Sequence, residues 1–358
     1  AGHKKQKTEA PNLFKKKNEL LFNREVLSPD EAPRGTVGIP RALNMYENYP
    51  FWHAFFTRLG FSVQLSDQSS KKTYQAGIES MPSESVCYPA KMSHGHVMNL
   101  IDRDVDFIWM PCVRWERKED PTAGNCYNCP IVMSYPTALA LNIDEIREQN
   151  IEFLYPFVPY HDKTELKRRL YQVLAVDRVA DAEAGRGRVR GPKITRSEVD
   201  AAVNAAFEAD ARFHEDIQTM GEEALKWVED HGGHGIVLAG RPYHNDPEIN
   251  HALPELISSF GFAVFTEDSL AHLVKPERPI RPVDVPQPPV RRRSFCDDAQ
   301  RPGPDPAQLL RLRLGRPDHR PGAGDPGSQR QDLHRAQDRR GVQPGCRAHP
   351  HPLAHGRA

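Results

Sequence analysis

The chain has 358 residues, enough for one large domain or two of medium size. Lysine plus arginine and aspartate plus glutamate each number 48, so no global basic field is available to hold nucleic acid. No apolar run reaches the length of a bilayer span, and the basic start AGHKKQKTEAPNLF lacks the apolar stretch and cleavage site of a secretory signal. These features place the chain in the cytoplasm, with no membrane partner. There its six cysteines stay reduced, and clustered ones read as metal ligands or redox thiols rather than disulfides.

Residues 1–33 are polar and charged and read as an N-terminal tail or linker. From residue 34 to 182, short apolar runs alternate with helical patterns. Thr36–Ile39, Phe61–Leu65, Val105–Met110 and Ile151–Tyr155 each read as a buried strand of a mostly parallel sheet. Asn44–Leu59 has apolar residues at helical spacing and stops at Gly60, which completes a βαβ unit. Residues 183–194 form a Gly/Arg-rich connector. In 195–284 a long helix spans 195–230, with Val199, Val203, Phe207, Phe213, Ile217, Ala224 and Trp227 as its apolar positions. A strand at Gly235–Gly240, a helix at Pro254–Phe260 and a strand at Phe262–Phe265 follow. The pattern is α/β, with two doubly wound lobes.

Residues 285–358 change character. They are packed with Pro, Arg, Gly, His and Asp and contain no Ile, Met, Asn, Lys, Thr, Glu, Tyr or Trp. A low-complexity disordered tail is one reading. The other is a reading-frame shift near Asp284, because the residues present are those of GC-rich codons. Shifted by one base, LLRLRLGRPDH can encode SFGCGLDALT, and GVQPGCRAHPHP can encode EVSNLGAARIRI.

Four cysteines precede that change: Cys87, Cys112, Cys126 and Cys129. Cys112 lies just past a predicted strand, where open α/β sheets place ligands. One CxxC and two distant cysteines suit a cluster gathered from several loops better than a zinc ribbon, which needs two short-spaced pairs. Zinc, and buried or merely redox-active thiols, stay open beside an iron–sulfur cluster. His94 and His96 are candidate ligands or proton-transfer groups, with helix packing as the alternative. The stretch GRPYHNDPEINHALPEL follows a strand. Its Arg241 suits a phosphate or carboxylate, and His244 with Asp246 or Glu248 suits proton transfer; turn and cap formation is the alternative. No phosphate loop, GxGxxG after a strand, GxSxG or HExxH is present, which argues against an intrinsic ATPase or a nicotinamide dehydrogenase.

The segments PRGTVGIPRALNMYENYPFWHAFFTRLGF, SSKKTYQAGIESMPSESVCYPAKMSHGH, VDFIWMPCVRWERKE, YNCPIV and GIVLAGRPYHNDPEINHALPELISSFGFAVFTEDS carry a resemblance. They are similar to acyl-CoA dehydratase activase-related proteins, which bear a CoA-substrate-specific enzyme activase domain. These in turn resemble the iron–sulfur subunits of 2-hydroxyacyl-CoA dehydratases and double-cubane cluster proteins. The resemblance runs from about residue 9 to Asp284. It implies two flavodoxin-like lobes around an iron–sulfur cluster, either 4Fe–4S or double cubane. Cys87 of SVCYP, Cys112 of MPC and Cys129 of NCP would be cluster cysteines, with Cys126 ranked below them because relatives more often carry His there. The family's SFGCG motif exists here only in the shifted frame, so the second lobe is expected to be incomplete and short of a fourth ligand. The resemblance further implies an ATPase activase chain or domain as partner, low-potential electron transfer or reductive chemistry, and acyl-CoA or another small molecule as ligand, with an oligomer allowed. A non-catalytic zinc-binding or assembly module, or a nonfunctional truncated product, is the alternative.

Overall fold

The apolar runs and helical patterns form the elements their periods predict. The structure, a computed structural model, describes residues 10–103, 105–118, 126–183 and 190–273. In chain order the elements are α1 (Leu13–Phe22), β1 (Thr36–Ile39), α2 (Met45–Arg58), β2 (Ser62–Leu65), α3 (Lys71–Ala76), α4 (Tyr88–Ile101), β3 (Phe107–Trp109), β4 (Cys112–Val113) and α5 (Pro130–Asn142). They continue with α6 (Asp144–Glu148), β5 (Phe153–Leu154), β6 (Phe157–Val158), α7 (Lys163–Tyr171), α8 (Arg178–Glu183), α9 (Arg196–Asp230), β7 (Gly235–Leu238), α10 (Leu253–Ser259) and β8 (Ala263–Thr266). A 3-10 turn, Pro242–Asn245, follows β7.

The main sheet is parallel, with strands in the order β2-β1-β3-β5. The chain steps outward from β1 to β2, then crosses back to β3. This is the flavodoxin-like order, and its switch point lies at the carboxyl ends of β1 and β3. Val37, Ile39, Val63, Phe107, Ile108 and Trp109 are buried, as a sheet covered on both faces requires. Two smaller parallel pairs are β4 with β6 and β7 with β8. The two-strand sheet of β7 and β8 is the part of the second lobe that falls among the described residues. The expected reading-frame change near Asp284 lies outside them.

Helix α2 packs along α9 through an aromatic core. Phe51 meets Phe207 with ring centroids 4.9 Å apart, and Trp52 meets Trp109 at 5.1 Å. Gly60, at φ +80°, follows the Leu59 C-cap and ends α2 where the sequence predicts. Helix α9 opens on a capping box: the Glu198 backbone N–H donates to the Thr195 hydroxyl, and the Thr195 N–H donates to the Glu198 carboxylate. Arg34 ties this helix start to the main sheet. Its guanidinium donates to Glu198 Oε1 at 2.7 Å and to the carbonyls of Leu59, Pro192 and Lys193.

The stretch read as an N-terminal tail is instead part of the fold from residue 10 onward. Asn12 caps α1 through Lys15 N–H and forms a parallel bridge to Val264, which extends the β7–β8 sheet. Leu13, Phe14, Leu21 and Phe22 are buried, and Lys17 pairs with Asp268. Three consecutive lysines hid the amphipathic face, because one of them is itself buried by its ion pair. The connector expected at 183–194 is also anchored over its described part, by Arg34 and by the Arg190–Asp106 pair at 2.8 Å.

Helix α4 runs so close to α3 that a Cβ at Gly95 would fall onto the Thr73 carbonyl. Alanine is favoured over glycine in a helix by about 1 kcal/mol. The clash is with backbone, however, and overpacking of this kind costs roughly 1–3 kcal/mol. Gly95→Ala is therefore expected to lower the urea midpoint of the full chain; an unchanged or raised midpoint would show that α3 and α4 separate freely.

Candidate functional site

Two of the four cysteines stand at the same place on two helices. Cys87 is the N-cap of α4, with φ −63° and ψ 152°, and Cys129 is the N-cap of α5, with φ −66° and ψ 154°. A proline at N1 or N2 follows each, where its missing N–H breaks no helical bond. Each thiol therefore sits at a helix start, where orphan N–H groups and the positive end of the helix dipole favour an anion. Cys87 is exposed and Cys129 half-buried.

The segment after β7 lies near both. The Tyr243 hydroxyl lies against the Cys129 thiol and within electrostatic reach of Cys87. Burial first, then these neighbours, push Tyr243 up to about 12, so it stays protonated and donates. Tyr135, on α5, is likewise pushed up to about 12 by burial and by Cys87. Glu248 accepts from Tyr88 Oη at 3.2 Å, beside Cys87.

Asp246, from the same segment, is buried at the carboxyl edge of the main sheet. It accepts from Ser69 Oγ and from the Glu248 N–H. Burial raises its carboxyl above the ordinary range, and these hydrogen bonds hold it back. Ser69 Oγ also lies 2.9 Å from His96 Nε2, while Ser66 Oγ lies 2.9 Å from His96 Nδ1. Arg41, stacked 4.5 Å over the Phe22 ring, lies close enough to Asp246 to feel its charge.

His94 and His96 are both interior to α4 and buried. His94 Nδ1 meets Ser80 Oγ at 2.8 Å and its Nε2 meets Tyr135 Oη at 2.9 Å. Both nitrogens of both rings are engaged by hydroxyl groups, the packing arrangement that stood as the alternative to a ligand role. Desolvation lowers His94 to about 4 and His96 to about 3, so both rings stay neutral near pH 7. His244 does not pair with Asp246 or Glu248; its Nδ1 accepts from the Arg241 N–H at 2.8 Å.

Cys112 is fully buried in β4, near the switch point, and its Sγ approaches Thr137 Oγ1 at 4.0 Å. Thr137 lies eight residues past Cys129, about 12 Å along the α5 axis at 1.5 Å per residue. Burial raises the Cys112 thiol. Cys126 is buried elsewhere, its carbonyl accepting from the Glu116 N–H at 2.9 Å, and its thiol too is raised by burial. Among the described residues no three His, Cys, Asp or Glu side chains converge as a metal site would require. Cys87 and Cys129, the two thiols near Tyr243, are the donors that could hold an iron–sulfur cluster from this side, against the four that cysteines usually supply.

Sequence reading missed Tyr135, Ser69 and Glu116. Glu116, with its carboxylate taking Asn128 Nδ2 at 2.7 Å and Asn48 Nδ2 at 3.1 Å, is driven up to about 8 by burial and by neighbouring Glu47. Nothing in the local sequence marks these residues, because their roles come from elements distant in the chain.

A flavodoxin-like parallel sheet with paired cysteines at helix starts defines a doubly wound α/β protein with a thiol-bearing site. The chain belongs to the family described as the CoA enzyme activase uncharacterised domain, which matches residues 36–270. No curated protein and no solved structure matches it. Among the described residues no helix is long and apolar enough to cross a membrane.

The two buried histidines set a pH signature. Their folded values lie below the ordinary 6.5, so the unfolded chain takes up protons first as pH falls. They contribute stability above 6.5 that is lost as pH drops toward 4 and 3. Glu116 acts in the opposite sense, its contribution being present below 4.5 and lost as pH rises through about 8. In an NMR titration from pH 7 to 5 the His94 and His96 ring signals are expected to stay at their neutral positions. A midpoint near 6.5 for either ring would show that it is not held buried among its hydroxyl partners.

Proposed function

We propose that the chain is an electron-handling component of a CoA-enzyme activation system, holding an iron–sulfur cluster through Cys87 and Cys129. The observation that carries this reading is the pairing of two N-cap cysteines around the Tyr243 hydroxyl. Thiolates are the ligands such clusters take, and helix starts stabilise the negative charge they bring. A bound cluster would supply one-electron transfer at low potential.

The chain's own residues have definite parts in this reading. Tyr243 donates its O–H toward Cys129, and hydrogen bonds to ligating sulfur tune a cluster's potential. The exposure of Cys87 leaves one side of the site open to a docking protein. The partner expected there is an ATPase activase, as separate chain or upstream domain, and the target is an enzyme acting on an acyl-CoA. Zinc held by the same pair is the competing occupant.

Purification without oxygen, followed by iron, acid-labile sulfide and zinc analysis, tests this. Several irons with matching sulfide per chain are expected in the wild type. Cys87→Ser and Cys129→Ser should each lose most of the iron, and Cys126→Ser should retain it. The iron content of Cys112→Ser separates a holder built on two cysteines from one built on three. Stoichiometric zinc without sulfide, or no metal at all, would overturn the reading.

A further inference from the structure

The carboxyl edge of β7 and β8 opens into a cavity of about 370 Å³, within the size range of small-molecule sites. Phe14 from α1, Leu238 at the end of β7, Ile249, and Leu253 at the start of α10 give it apolar walls, and Thr266 lies at the end of β8. Strand ends of this kind are where open parallel sheets take ligands.

Asn245 lines the same cavity and is only 4% exposed, yet neither its Oδ1 nor its Nδ2 has a hydrogen-bond partner. Its backbone is firmly placed: its carbonyl accepts from Asn18 Nδ2 at 2.6 Å. Buried polar side-chain atoms are nearly always paired, and an orphan carries the full penalty of its desolvation. An amide with both a donor and an acceptor unmet calls for a ligand that offers both on one edge. A secondary trans amide does not, because its N–H and C=O point to opposite sides. The N6 and N7 atoms of adenine do, and they are the standard match for an asparagine side chain. Arg241 lines the cavity as well. A guanidinium suits a phosphate group.

We propose that this cavity binds an adenine nucleotide, the base paired edge-on with the Asn245 amide and the phosphate carried toward Arg241. The apolar walls suit a flat heterocycle. No phosphate loop is needed, because the base and not the phosphate chain is the anchor. The site shares no residue with Cys87 or Cys129, so the proposal stands apart from the metal content.

The test is calorimetric titration of the full chain with AMP, with GMP, adenosine and nicotinamide as comparators, alongside melting temperatures. AMP is expected to bind and to raise the melting temperature of the wild type. Asn245→Ala should weaken AMP at least tenfold while leaving the ligand-free melting temperature equal or higher, because it removes an unpaired buried amide. Arg241→Gln should weaken AMP and leave adenosine unchanged. The proposal is overturned if the wild type ignores AMP, if GMP or nicotinamide binds as well as AMP, or if Asn245→Ala keeps its AMP affinity. It is also overturned if Asn245→Ala melts several degrees lower without ligand, which would make Asn245 a structural residue. Equal weakening of adenosine and AMP by Arg241→Gln would overturn the phosphate assignment.

Discussion

A buried polar chain holds the site together: Ser66 and Ser69 engage both nitrogens of His96, and Ser69 donates on to Asp246. An unpaired buried carboxylate is strongly disfavoured, so the segment carrying Asp246 must stay where Ser69 can reach it. That requirement fixes the segment after β7 against the carboxyl edge of the main sheet. Tyr243 then falls beside Cys129, and Glu248 falls beside Tyr88, next to Cys87. The two buried histidines are part of the scaffold, and their neutrality is what allows the serine hydroxyls to serve as both donors and acceptors.

The thiols depend on this in turn. Helices α4 and α5 each begin on an N-cap cysteine with extended backbone, which presents its side chain at the helix end; Pro130 directly follows Cys129 and favours that conformation, while Pro89 stands one residue beyond Cys87, after Tyr88. Two helix starts carry like partial charges and favour an anion, but they do not by themselves bring two sulfurs together. Tyr243, a phenol that remains protonated through the neutral range, supplies a neutral donor to Cys129 within electrostatic reach of Cys87. Gly95 supports the same geometry from behind, because only a residue without a side chain lets α4 lie against the Thr73 carbonyl.

The strands were legible because their apolar runs are short, β-branched or aromatic, and punctuated by glycine. Thr36–Ile39 and Gly235–Leu238 begin at the residues expected, and α9 begins after the predicted Thr195. Helix α1 was hidden because burial of Lys17 rests on Asp268, far along the chain. His94 and His96 looked like ligands because sequence shows a side chain's chemistry and not its partners; Ser66, Ser69 and Ser80 come from other elements. The cysteines were legible as a set. Which of them meet was not, since that depends on the separation of Cys112 from the start of α5. Asn245 carried no signal at all. An asparagine in a turn reads as a turn residue, and only its lack of partners in a buried place distinguishes it.

One 3-10 turn, with the Asp246 that caps its end, carries several of these duties. Tyr243 points its hydroxyl to the thiols of the first sheet's helices, Asn245 lines the cavity of the second sheet, and Asp246 anchors both to His96 through Ser69. With about three residues per turn, successive side chains of a 3-10 helix project roughly a third of a circle apart. Four residues therefore suffice to face two sheets at once. The same economy removes freedom. The turn's backbone is held by the His244 N–H bonded to the Arg241 carbonyl and by the Asp246 N–H bonded to the Tyr243 carbonyl, so Asn245 and Tyr243 occupy one rigid unit. The unpaired amide of Asn245 is thus retained beside a phenol that touches cysteine, in a turn whose backbone is held by hydrogen bonds. That contrast is what separates a position kept for a ligand from one kept for stability.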